Sequence, residues 1–133
     1  MAVTNDQIRS VAQTGAKAIE LQLSMADTDA WEAFNRIWPF AYCYGAFEAL
    51  ARHFQMDTVE AYVLITVGFE ELLLKREGKK KLERAFELQA NKFFVEGRAH
   101  GFDDFSRWMT EKGFCPLMLA NFFVLGKPAP LAD

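Results

Sequence analysis

Cysteine, proline, surplus positive charge and long apolar runs are all scarce in this sequence, and each scarcity excludes something. Only two cysteines occur, Cys43 and Cys115, far apart in the chain. They cannot build the disulfide framework of a small secreted scaffold, so a reduced, cytoplasmic protein is expected. The formal net charge is -3, which gives no general attraction to nucleic acid or to anionic lipid. The longest nearly apolar run, Ala61 to Phe69, is far shorter than the roughly 20 residues that span a bilayer. No membrane association is expected. The opening MAVTNDQIRS lacks a basic stretch followed by an apolar core, so no secretory signal is expected either. The four prolines and eight glycines are scattered, and no repeat or low-complexity linker divides the chain. One domain over residues 1–133 is therefore expected, with about 126–133 as a frayed tail. A Ser–His–Asp ordering, a phosphate-cradling glycine loop and a Cys-x-x-Cys pair are also missing. No catalytic residue, no cofactor and no enzymatic activity are expected.

What is present is apolar and aromatic. Hydrophobic residues make up 51% and aromatics 14% of 133 residues, and thirteen of the aromatics are Phe. A chain of this size buries roughly two-thirds of the surface its unfolded form exposes, enough for a core without staples. No segment alternates at period two, so no strands are expected. Ile8, Val11, Ala12, Gly15, Ile19 and Leu23 recur at helical steps, and Thr4 with Gln7 forms a capping box before them. Asp29 with Glu32 opens a second segment, about 29–54. It carries Trp31, Phe34, Trp38, Phe40, Tyr42, Tyr44 and Phe47. Pro39 predicts a kink or break near Trp38. Asp57 with Glu60 opens a third helix, about 57–76, apolar nearly all round. It is expected at the centre of the bundle. A fourth helix carries Leu82, Phe86, Phe93 and Gly97 and should stop at Gly101. A short fifth follows over about 103–111, and Pro116 starts a last one. Whether the third and fourth helices are separate or continuous through Gly78 is left open. The expected fold is an all-α, single-domain helical bundle of about five to six helices.

Three clusters are candidate sites. Phe40, Tyr42 and Phe47 cannot share the helical face of Trp31, Phe34 and Trp38, so some aromatic surface is expected to point away from the core. Trp38, Phe40, Tyr42 and Tyr44 are the partner- or ligand-binding candidates, since such residues are enriched at interface hot spots. Lys79, Lys80 and Lys81 join them as a basic turn that would steer an acidic partner. At the start of a helix these cations would oppose its dipole. Glu96 and His100 lie four residues apart with Asp103 just beyond, the candidate ligands if a metal is bound. The blander roles are a C-terminal cation at His100 and a helix cap at Asp103 or Asp104.

The stretch Ala49-Leu-Ala-Arg-His-Phe-Gln-Met-Asp-Thr-Val-Glu-Ala-Tyr-Val-Leu64 resembles the helix-turn-helix of bacterial transcription regulators, which implies DNA binding through its second helix. That helix carries Val59, Tyr62, Val63, Leu64 and Ile65 where a recognition helix carries base-reading polar groups. Cys115-Pro116 resembles the short Cys-Pro element of some haem-responsive proteins, and a helix start explains it equally. The expected function is a small non-enzymatic protein-interaction module: an adaptor, inhibitor or immunity-type protein, or a homodimer. Its partner would be another protein or a second copy. A small apolar-ligand-binding protein is the first alternative and a DNA-binding regulator the second.

Overall fold

A computed structural model describes residues 3–125, and the tail expected over 126–133 lies outside the described residues. Among the described residues the chain forms seven helices: α1 (Asn5–Met25), α2 (Ala30–Ala33), α3 (Ile37–His53), α4 (Thr58–Leu72), α5 (Gly78–Glu87), α6 (Lys92–Thr110) and α7 (Met118–Leu125). No strand is present among them. The all-α bundle is as expected.

The polar starts form as the sequence chemistry demands. Thr4 accepts from the Gln7 amide while Gln7 accepts from the Thr4 amide. Asp57 and Glu60 make the same reciprocal pair at the start of α4. Asp29 accepts from the Glu32 amide and caps α2. Each bond satisfies an amide that the first helical turn leaves without a partner.

Pro39 does not kink a long helix. The break falls earlier, at Phe34–Arg36, and Pro39 sits in the first turn of α3. There its missing N–H has no helical acceptor to lose. The expected 57–76 helix is not the centre either. On α4, Val59 is 71% exposed, with Tyr62 and Val63 near 40%. The centre is α3, whose residues from Trp38 to Ala51 are all buried except Glu48. α1 and α4 run antiparallel to it on one side. Gly15 meets Leu50 and Phe47, and Gly68 meets Phe47. α6 lies along it in the same direction.

The α3–α6 contact explains why Gly101 does not end a helix. Gly97 and Gly101 lie inside α6. A Cβ on Gly97 would strike the Trp38 carbonyl oxygen, one on Gly101 the Tyr42 carbonyl oxygen, and one on Gly45 the Arg98 carbonyl oxygen. The two backbones touch, which only glycine permits. The expected fourth helix is instead broken at Leu88–Asn91, which leaves Leu82 and Phe86 in α5, and helical continuity through Gly101 joins its second half to the expected fifth helix as α6. At Gly78 the chain does break: α4 ends at Leu72 and α5 starts afresh, with Glu77 in the left-handed region at φ 63°. α7 begins at Met118, just after buried Pro116.

Candidate functional site

The aromatic candidates are all interior. Trp38, Phe40, Tyr42 and Tyr44 are each no more than 3% exposed, so the expected outward aromatic surface over Trp38–Tyr44 does not exist. The reason is the position of α3. A helix enclosed on every side buries aromatics all round its circumference. Phe40 packs against Phe34, Phe69 and Phe94, and Tyr44 against Phe94. Trp38 is stacked on Phe122 of α7 at 4.6 Å.

Around Tyr42 the core is polar and closed. Gln22 Nε2 donates to the Tyr42 hydroxyl at 3.0 Å, and that hydroxyl donates to Asp104 Oδ2 at 2.6 Å. The same Asp104 oxygen accepts from the Met118 amide at 3.0 Å. Gln22 Oε1 accepts from the Leu119 and Ala120 amides at 3.0 and 3.1 Å. The first turn of α7 is thus capped by side chains from α1 and α6, distant in sequence. Burial pushes the Tyr42 phenol well above its ordinary range, and the Asp104 carboxylate adds to the effect. Burial also raises Asp104, opposed by its bonds to Tyr42 and Met118.

His100 faces this network from one turn back on α6, against the Trp38 ring at 5.5 Å. It is mid-helix and 2% exposed, not a cation at a helix end. Burial holds its imidazole below the usual value, against the pull of Glu96, Asp104 and Asp103. His100 Nδ1 and Trp38 Nε1 are buried and have no hydrogen-bond partner among the described residues. Glu96 is exposed and Asp103 half-buried. Glu96, His100 and Asp103 are not brought together as ligands, and no metal-binding group of three occurs among the described residues.

Lys79 and Lys80 are exposed and Lys81 half-buried, all in the first turn of α5. They form a basic surface apart from the aromatic candidates. The Ala49–Leu64 corner does form, with Gln55 at φ 57° in its turn. Its second helix turns Thr58, Val59, Tyr62 and Val63 to solvent. α4 holds no Lys, Arg, Asn or Gln.

The surface feature unanticipated from sequence lies along α1. Val3, Gln7, Ser10, Val11 and Thr14 line a cleft of about 390 Å³ with Leu50, Phe54, Met56 and Met109. Thr14, Lys17, Ala18 and Leu21 line a second, of about 340 Å³, with Trp108, Cys115 and Pro116. The two share Thr14, so Gln7, Ser10, Val11, Thr14, Lys17, Ala18 and Leu21 form one helical stripe facing a groove made of the two adjoining clefts. The stripe spans about 21 Å at 1.5 Å per residue. Its signal was present in the sequence. Ala18 and Leu21 lie off the stripe of Ile8, Ala12, Ile19 and Leu23, and Val11 falls at its half-buried edge, apolar residues on a second side of one helix.

No protein-family model, curated protein or solved structure matches this chain. No described helix is long and apolar enough to cross a membrane.

Proposed function

We propose that the chain is a small non-catalytic protein-interaction module that seats an amphipathic helix of a partner protein in the groove along α1. The observation that carries this reading is the stripe from Gln7 to Leu21, bordered by clefts over its whole length. Its floor is apolar, with Val11, Ala18, Leu50, Trp108 and Met109. Its rim is mostly uncharged, with Gln7, Ser10 and Thr14. Small side chains at Ser10, Thr14 and Ala18 let a second helix approach closely, and four turns of helix match the length. Among the described residues Lys17 is the one charged residue lining either cleft, which favours a partner helix with an acidic residue opposite it. The non-catalytic reading is supported by the chemistry of the interior: His100, Tyr42 and Asp104 are sealed, and Asp104, held by Tyr42, is spent on capping α7.

The groove carries its own reporter. Cys115 is exposed and lines it, whereas Cys43 is buried. A photo-crosslinking side chain at Thr14, in the native cell, should trap one discrete protein that Ala18→Arg no longer admits. A fluorophore on Cys115 should respond to a helix of that protein in vitro. Crosslinks equal to those from exposed Glu83, or unaffected by Ala18→Arg, would remove the reading.

The apolar-ligand alternative has a specific observation in its favour. Among the described residues the Val3–Met109 cleft has no charged lining residue, and its volume lies within the roughly 300–1,000 Å³ of ligand sites. Native mass spectrometry of protein taken from its own cells separates the two readings. A small molecule retained by the wild type and lost in Val11→Trp favours the ligand. DNA binding ranks behind both, because α4 offers no base-reading side chain.

A further inference from the structure

A second surface lies where the α1–α2 turn meets the α4–α5 loop. Leu23, Trp31, Leu72 and Leu74 line a cleft of about 580 Å³ there. Trp31 is 44% and Leu74 76% exposed. Four carboxylates line the same cleft: Glu20, Asp27, Asp29 and Glu32. Directly after Leu74 come Lys75, which pairs with Glu71, and then Arg76, Lys79 and Lys80, all exposed. Among the described residues, neither those four acids nor those last three cations join any salt bridge. The two connections also hold Asp27, Leu74, Lys75 and Glu77 at positive φ. A leucine held in that region with its side chain in water has no local reason to be there.

We propose that this end of the bundle is an interface with a second copy of the chain. The Arg76–Lys80 segment of each copy lies against the Glu20–Glu32 cleft of the other, and Leu74 enters beside Trp31. Charge complementarity selects this occupant. A partner of one sign would satisfy half of the surface and leave the other half desolvated and unpaired. A surface bearing both signs in the same arrangement satisfies both halves, and this chain carries one. Reciprocity is what a twofold interface requires: the acidic element of one copy meets the basic element of the other, twice. The proposal is independent of the α1 groove, so either can fail alone.

Sedimentation velocity on the full chain tests it. A reversible dimer is expected at low salt that dissociates as salt screens the pairs. The double variant Lys79→Glu/Lys80→Glu should be monomeric, and so should Glu20→Lys/Glu32→Lys. Mixed in equal amounts, the two should recover a heterodimer, because the reversed segment then meets the reversed cleft and the unchanged segment the unchanged cleft. Leu74→Gly should weaken dimerisation at least tenfold while its thermal melt shows an intact fold. A wild-type chain that stays monomeric at near-millimolar concentration in low salt overturns the proposal. A dimer unmoved by either reversal, or one abolished only by Ala18→Arg, also overturns it. A monomer that binds poly-lysine through Glu20 and Glu32 overturns it too, and assigns the cleft to a basic partner.

Discussion

One phenol joins three helices: Tyr42 of α3 accepts from Gln22 of α1 and donates to Asp104 of α6. Neither partner is replaceable by water, since the site is closed. Gln22→Ala leaves the Tyr42 hydroxyl without one partner and the Leu119 and Ala120 amides without their acceptor. A buried group so orphaned costs about 1–3 kcal/mol. Urea denaturation should show that loss, whereas Gln13→Ala, on the exposed side of the same helix, should stay within about 0.5 kcal/mol. His100 supplies a pH signature. Its folded pKa lies below the unfolded value of 6.5, so the unfolded chain takes up the proton first as pH falls. Its contribution is complete above pH 6.5 and is lost as pH falls from there through the folded pKa. The limiting slope is about 1.4 kcal/mol per pH unit for one proton. Asp104, raised by burial, acts oppositely, losing its contribution as pH rises from 3.8 through its folded pKa. Denaturant midpoints between pH 7 and pH 5 should fall for the wild type and fall less for His100→Gln. The sequence put His100 near the end of one expected helix and Asp104 at the start of the next, and the structure places both inside α6. That both are buried depends on α7, which only the fold places over them.

Helix by helix, small residues determine what lies against what. α6 keeps Gly97 and Gly101 four residues apart so that its backbone can rest on that of α3. Gly101→Ala must push the Tyr42 carbonyl away and should destabilise by about 1–3 kcal/mol or more, as overpacking does. Ala99→Gly on the exposed side of α6 should cost only the helical entropy, about 0.5–1 kcal/mol. Paired thermal melts would separate the two effects. α5 behaves in the opposite way. Its first turn holds Lys79 and Lys80 against the positive end of the helix dipole. Lys79→Glu/Lys80→Glu should therefore raise monomer stability by about 0.3–1 kcal/mol per site, read by denaturation in low-salt buffer at low protein concentration. A protein that keeps these cations at a local cost has a use for them elsewhere, which the proposed dimer supplies.

As a whole, the molecule is a bundle whose parts are unequally held. α3 and α6 are joined along their length, while α7 rests on two capping side chains and a few rings, chiefly Phe122 on Trp38 beneath Arg36. Weakly fastened elements open below the global transition. Amide exchange should therefore find Leu119–Phe122 opening before Tyr42–Leu50, and Gln22→Ala should accelerate the former more than the latter. The helix starts at Thr4, Asp29 and Asp57 were determined by the sequence itself, because a capping side chain acts on amides two or three residues away. So was the all-helical class, because periodicity is local. Which of two apolar helices stands at the centre was decided only by the tertiary structure. Burial depends on neighbours contributed by distant segments, and α3 rather than α4 received them on all sides. The same dependence moved the candidate binding surface. The aromatics of α3 became core, and the α1 groove with its uncovered stripe remained on the surface.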